Sequence, residues 1–344
     1  MKKKIFSLIA IMMVATLILT GCGGSSQSNS ANTDNKNNTK FTMKVANILA
    51  EDDPETLGLK KFKELVESKS EGNIIVELYP NAQLGAAETY LDSLRQGVIQ
   101  MASPGSVMAQ LQPLVAAPEM PFIFNDWDHA KKVLTDPELT DILAEGMIEK
   151  HGVRCVGFAP RGFRVISSNK KISSMEDFKG FRIRTPNIPF YIKLFEALGA
   201  SPVALPLTEL FSALEQNVVT GQENPYATIE TSKFYEVQDY IFESNHIFTT
   251  HGWYINEKFF QSLPENYQQI IVDSAKEAIN YIFDILIEQE TKAKATMEEH
   301  GVEVTVPSEA LKKQMVEAAQ PALEFFYETY PGSKEWAEKV RAIK

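Results

Sequence analysis

The sequence predicts an α/β fold, and three observations carry that prediction. From residue 41 onward, strand-like and helix-like segments alternate as β-α-β-α-β, an order that gives a parallel sheet with helices on both faces. The pattern restarts near residue 163. One helical period then runs from Pro264 to about Glu299. At ~1.5 Å per residue this helix is roughly 54 Å long, wider than one domain. It reads as a helix bridging two lobes.

The N-terminus reads as an export signal. Lys2, Lys3 and Lys4 precede an apolar run from Ile5 to Leu19, and Leu19-Thr20-Gly21-Cys22 follows. About 15 apolar residues fall short of the ~20 that a spanning helix needs. "LTGC" resembles a lipobox, so residues 1–21 are assigned as a lipoprotein signal peptide and Cys22 as the lipidated first residue of the mature chain. Residues 22–40 contain no large apolar side chain and read as a flexible tether. Removing the signal leaves 31 basic against 45 acidic residues, a net charge of −14. So acidic a body argues against a nucleic-acid partner. Cys155 is the one cysteine left in the body, which excludes an internal disulfide there, and it reads as a small buried hydrophobe.

Within the body, "FTMKVANIL" alternates as a first strand. A helix starts at Pro54, places Leu57, Phe62, Leu65 and Val66 on its apolar face, and stops at Gly72. "NIIVELYP" is a second strand. "GAAETYLDSLRQGVIQMASPG" is a helix broken at Gly97, then a strand through Ile99 and Met101. "MPFIFNDWDHAKKVL" is an apolar loop leading to a helix capped at Asn125 or Asp126. "GVRCVGFAP" is a buried strand.

The second lobe begins with "GFRVISSN", "MEDFKG", "FRIRTPN" and "IPFYIKLFEALGA", read as strand, turn, strand and helix. "ASPVALP" is a strand and "LTELFSALEQNVVTG" a helix ended at Gly221. The segment "NPYATIETSKFYEV" starts a helix with Asn224 as cap and Pro225 in the first helical position. "HGWYINEKFF" returns to a strand. Ile270, Ile271, Ala275, Ala278, Ile279, Ile282 and Leu286 mark the apolar face of the long helix, and Gly301 ends it. The stripe is not a strict heptad, which disfavours a coiled coil. The expected division is 41–161 plus 250–290 for lobe I and 162–249 plus 291–344 for lobe II.

No dinucleotide fingerprint, P-loop, HExxH, CxxC or GxSxG motif is present. The histidines at 129, 151, 246, 251 and 300 show no metal-ligand spacing, so neither a metal nor a cofactor is expected. The arginines attract more attention. In "FRIRTP", alternation sends Phe181 and Ile183 to one face and Arg182 and Arg184 to the other; in "GFRV", Arg164 alternates with Phe163 and Val165. Such arginines either face solvent and structural acids or fix an organic anion, since a guanidinium fork matches a carboxylate through two parallel hydrogen bonds. Alternation alone does not separate Arg182 from Arg184.

Five stretches carry a resemblance: "LYPNAQLGAAETYLDSLRQGVIQMA", "MPFIF", "FKGFRIRTPN", "LGASPVALPLTELFSALEQNVVTGQENP" and "KFYEVQDYI". Together they resemble the extracytoplasmic solute-binding proteins of tripartite ATP-independent periplasmic (TRAP) transporters, of the dicarboxylate type, across residues 41–330. The resemblance implies a bilobed periplasmic-binding-protein-like fold, two α/β lobes around a cleft with a long helix spanning both. It implies Arg184 as the clamp for a ligand carboxylate, Arg164 as a second arginine and Asn224 as a ligand hydrogen-bonding group. The sequence departs from the family pattern in places: Asp53-Pro54 stands where His-Pro is frequent, Pro104-Gly105 offers no side chain after the third strand, and Arg161 has no assigned role. Glu51 and Asp52 are expected near the cleft mouth. Glu88 and Gln222 are expected as hydroxyl-binding or structural groups, and Trp253 as a cleft or core aromatic.

The resulting expectation is a lipid-anchored, non-enzymatic receptor on the periplasmic side of the cell membrane. It would capture a small organic acid, a C4-dicarboxylate or a sugar acid such as a uronate, and deliver it to a TRAP permease. Acidic residues near the first strand-helix junction favour a hydroxylated monocarboxylate. The alternatives are an exported hydrolase on a bilobed scaffold and a surface adhesin or sensor lipoprotein.

Overall fold

Strand β1 (Phe41–Asn47) forms where the alternation places it, and the computed structural model describes residues 40–343. The signal peptide, Cys22 and all of the tether except Lys40 lie outside the described residues. Helix α1 (Pro54–Lys69) starts at Asp53, whose carboxylate accepts from the Glu55 amide, with Pro54 in the first turn. Strand β2 (Ile74–Tyr79), helix α2 (Ala87–Gln96) and strand β3 (Met101–Ser103) complete the first unit. As the β-α-β order requires, β1 pairs in parallel with both β2 and β3. Asp126 caps α3 (Trp127–Leu134), accepting from the His129 amide at 2.8 Å. Helices α4 (Pro137–Ala144) and α5 (Met147–His151) follow.

The sequence reading divided the next segment into two strands; the structure has one, β4 (Val153–Ser168). Gly157, Pro160 and Gly162 look like breakers, but they sit where the register shifts, and β-bulges absorb them. The rest of the second lobe comprises β5 (Arg182–Thr185), α6 (Pro189–Ala197), β6 (Ser201–Ala204), α7 (Leu210–Glu215), β7 (Gly221–Pro225), α8 (Tyr226–Thr231) and β8 (Tyr240–Phe242). Two expectations fail here. The helix expected to run to Gly221 ends at Glu215, with Gln216 as its cap, and "GQENP" is a fully buried strand. Next come β9 (Phe248–Asn256), α9 (Glu257–Ser262), the 35-residue α10 (Glu265–Glu299), β10 (Glu303–Thr305), α11 (Glu309–Ala318), α12 (Gln320–Thr329) and α13 (Ser333–Ala342).

The strands form two sheets that share β4. The first has the order β2-β1-β3-β9-β4, with β9 antiparallel to both neighbours. From Arg164 onward β4 belongs to the second sheet, between β7 and β8, while β5 and β6 extend the β7 side and β10 the β8 side. Helix α10 packs against α1 of the first lobe, against β4, and against α8 of the second, so it spans both lobes. Gly58 permits the close approach to α1, because a Cβ there would collide with the Ile282 side chain. A large core fills the first lobe and continues beneath α6 and α12, and a smaller one gathers Val165, Leu214, Tyr226, Ile229 and Met297. The expected division placed 291–344 with the second lobe, but α13 packs against α4 of the first. There the Trp336 indole donates to the Leu139 carbonyl at 3.0 Å, and His129 Nε2 lies 3.0 Å from the Val340 carbonyl.

Burial pushes the Cys155 thiol up to about 12, which leaves it a poor nucleophile. No helix among the described residues is long and apolar enough to cross a membrane.

Candidate functional site

A cavity opens between the two sheets at the carboxyl ends of β1, β3, β5 and β6, where α/β folds place their ligands. Water centres can occupy about 80 Å³ of it, several times the ~10–15 Å³ that one water requires. Leu49, Glu88, Gly105 and His251 line it from the first lobe, and Arg184, Asn224, Leu205 and Thr208 from the second. Arg161 and Arg164 reach it from the shared strand.

Arg184 lies at the carboxyl half of β5 and is 4% exposed. Its Nε and Nη2 donate to the Leu205 carbonyl at 2.9 and 2.7 Å, and it forms no ion pair among the described residues. Burial lowers its pKa to about 10, only partly countered by Glu223, and Arg164 adds to the depression. Arg182 shares the strand face but lies two residues nearer the amino end, exposed, with Nη2 donating to the Asn217 carbonyl. Depth along the strand separates the two arginines.

Arg164 is bound differently. Its Nε and Nη2 grip both carboxylate oxygens of Glu223, Nη1 donates to Thr249 Oγ1 at 3.1 Å, and the guanidinium carbon lies 5.3 Å from the centroid of the Tyr191 ring. Burial would raise the Glu223 pKa, but Arg164 and His246 together outweigh it and hold the carboxyl below the usual range. On the far side of Glu223, His246 Nε2 lies 3.2 Å from Oε2, and burial lowers the pKa of this imidazole. Arg164 also donates to Asn224 Oδ1 at 3.1 Å, and the Asn224 amide donates to Gln222 Oε1 at 2.6 Å. Gln222 passes the chain on to Ser167 at 2.8 Å. The charge of Arg164 is thus balanced within the protein, and the same guanidinium also holds Asn224 Oδ1.

Arg161 ties the lobes together. It forms a two-pronged ion pair with Asp53, the cap of α1, while Nη2 also reaches Thr228 Oγ1 on α8. Two residues along α1, Glu55 accepts from Ser103 and from the Trp253 indole at 3.2 Å, and faces His251 Nδ1 at 2.6 Å. Burial would raise the Glu55 pKa, but His251 and Arg161 together hold it below the usual carboxylate range.

Four of the residues singled out from sequence, Arg184, Arg164, Asn224 and Glu88, line the cavity. Gln222 is fully buried one layer behind it. Trp253 is a core residue, 0% exposed, packed edge-on against Phe62 at 5.8 Å, because its β9 position faces α1. Asn224 does not cap α8: Pro225 is the cap residue, and the Asn224 side chain is held in the arginine network. Glu51 and Asp52 are exposed, and Glu51 pairs with Lys60 at 2.6 Å away from the cavity. Sequence reasoning missed Glu223, Asp53, Glu55 and His251. The glutamate of "QENP" and the acids flanking Pro54 were visible as buriable charges, but their partners lie more than fifty residues away.

The family model of the bacterial extracellular solute-binding proteins, family 7, matches residues 45–329. A TRAP periplasmic solute-binding protein from Desulfovibrio desulfuricans, solved with bound sn-glycerol-3-phosphate, is similar at a TM-score of 0.85 and 34% identity, over 88% of this chain and 97% of its own. One from Haemophilus influenzae, solved with bound L-gulonate, gives a TM-score of 0.84 and 36% identity, over 89% of this chain and 100% of its own. The 2,3-diketo-L-gulonate-binding periplasmic protein YiaO of Escherichia coli is 33% identical over 254 residues, 73% of this chain and 77% of its own. A family match across nearly the whole folded body agrees with the two-lobed architecture and the cavity between its sheets. The chain belongs to family 7 of the bacterial extracellular solute-binding proteins and is an extracytoplasmic binding protein of the TRAP type.

Proposed function

We propose that the chain captures a small hydroxylated organic acid, a sugar acid above a dicarboxylate, and hands it unchanged to a TRAP permease in the membrane. One observation carries this reading: Arg184 is a buried cation at the cavity wall without a carboxylate partner among the described residues. Three guanidinium groups border the cavity, but Asp53 and Glu223 already neutralise two of them. A single free cation matches a single carboxylate, bound through two parallel charge-assisted hydrogen bonds. Asn224, held by Arg164, then orients the ligand, and Glu88 accepts from a hydroxyl. The molecules bound by the relatives, L-gulonate and sn-glycerol-3-phosphate, are likewise small hydroxylated anions. Capture proceeds by closure of the lobes around the ligand, which contacts both. Cys22, lipidated, tethers the receptor to the membrane; palmitate labelling of wild type and of Cys22→Ser tests this part separately.

Titration calorimetry with L-gulonate, D-glucuronate and succinate tests the binding role. Wild type should bind at least one sugar acid more tightly than succinate, and mass spectrometry should recover the acid unaltered. Ligand at ~100 times its dissociation constant should stabilise the fold by ~2.7 kcal/mol. Arg184→Ala should remove binding while the fold persists; unchanged affinity in that variant would sink the assignment.

A further inference from the structure

We infer that His251 is a specificity-determining residue whose Nε2 hydrogen-bonds a ligand hydroxyl remote from the carboxylate, and that Glu55 is the positioning residue that holds the ring in place. The inference rests on the sugar-acid reading above and deepens it. His251 projects from β9 and lines the cavity from the first lobe, whereas Arg184 lines it from the second. Its two ring nitrogens have different fates. Nδ1 lies 2.6 Å from Glu55 Oε2. Glu55 also accepts from Ser103 and Trp253, and Arg161 Nε lies 3.6 Å from its carboxylate. A carboxylate surrounded by donors is ionised and only accepts, so the proton of the pair sits on Nδ1.

Nε2 is the ring's other polar atom, and it has no hydrogen-bond partner among the described residues. It faces Gly105, where an added Cβ would lie 2.9 Å away. The Pro104-Gly105 departure from the family pattern thus leaves this nitrogen uncovered. A ring nitrogen at a cavity wall, with no partner from the protein, fits a ligand O–H, which can both donate and accept. A site that hydrogen-bonds one hydroxyl rejects the analogue lacking it far more strongly than an apolar pocket does.

The test pairs variants with ligand analogues: L-gulonate and D-glucuronate, each with its single-deoxy analogues, titrated against wild type, His251→Leu, His251→Gln and Gly105→Ala. In wild type, loss of one hydroxyl should cost tenfold or more in affinity. In His251→Leu that same hydroxyl should no longer matter. His251→Gln should restore part of the discrimination, and Gly105→Ala, which sets a methyl group against Nε2 while the histidine is retained, should abolish it. Ligand-free melting temperatures separate misfolding from lost recognition. If every deoxy analogue loses as much in His251→Leu as in wild type, this inference falls while the sugar-acid reading stands. If wild type binds succinate but neither sugar acid, or none of the three, both fall.

Discussion

Arg184 aims Nε and Nη2 at one neutral acceptor, the Leu205 carbonyl, whereas Arg164 on the shared strand holds a carboxylate with the corresponding atoms. Two buried guanidinium groups in one cavity therefore carry opposite functional weight. One is paired with a carboxylate of the protein, and the other, under the reading proposed above, receives the carboxylate of the ligand.

Replacing Arg184 with methionine should stabilise the ligand-free protein while it abolishes acid binding. A buried charge without an opposite partner costs more than an apolar side chain of similar volume, and the gain expected is about 1–3 kcal/mol. Urea unfolding of both proteins, beside calorimetric titration, measures the two effects. A destabilised variant would mean that the Leu205 hydrogen bonds outweigh the burial of the charge.

Arg161→Ala should cost about 3–5 kcal/mol, because it leaves Asp53 as an unpaired buried carboxylate at the helix cap. Adding Asp53→Asn should recover part of that loss. A double-mutant cycle in chemical denaturation isolates the coupling, and additive effects would show that the two groups do not depend on each other.

Glu290 on α10 has a buried Oε1 with no hydrogen-bond partner among the described residues, and a Cβ at Gly162 would collide with it. Burial raises its pKa from 4.5 to about 8; Arg161 only partly offsets this, and Glu243 adds to it. The folded state thus holds this proton more tightly than the unfolded state. The stability it contributes is fully present below 4.5 and is lost as pH rises through about 8. Glu290→Gln cannot titrate, so it should equal wild type near pH 4.5 and exceed it by about 2–4 kcal/mol at pH 8.5. Denaturation midpoints at the two pH values check the sign.

Gly58→Ala should lower the melting temperature, since its methyl group enters the space of Ile282 where α10 crosses α1. Overpacking of this kind costs about 1–3 kcal/mol, and Ile282→Val in the same chain should return part of it.

Periodicity and β-branched runs made β1, β2, α6 and α10 legible, because each buries one face against a layer its own pattern anticipates. The crossing strand was harder. Pro160 and Gly162 read as an end to β4, and only a paired neighbour reveals them as bulges. "GQENP" has poor strand propensity, yet all five of its residues are buried, since Gln222, Glu223 and Asn224 find partners in Ser167, Arg164 and His246. Arg184 and Asn224 could be picked out because they sit in compact local motifs. The acids that hold Arg161 and Arg164 could not, since a carboxylate that closes an ion pair from a distant segment looks in sequence like any surface glutamate.

The placement of β9 bears on how the chain acquires its structure. It inserts between β3 and β4, so the first sheet lacks a middle strand until residue 256 is available, and the second gains its β10 edge only with residues 303–305. Neither lobe is a continuous piece of chain. Contacts between segments so far apart slow folding, and the topology delays closure of the core until most of the polypeptide is present. A protein destined to leave the cytoplasm thereby stays threadable while it is being made.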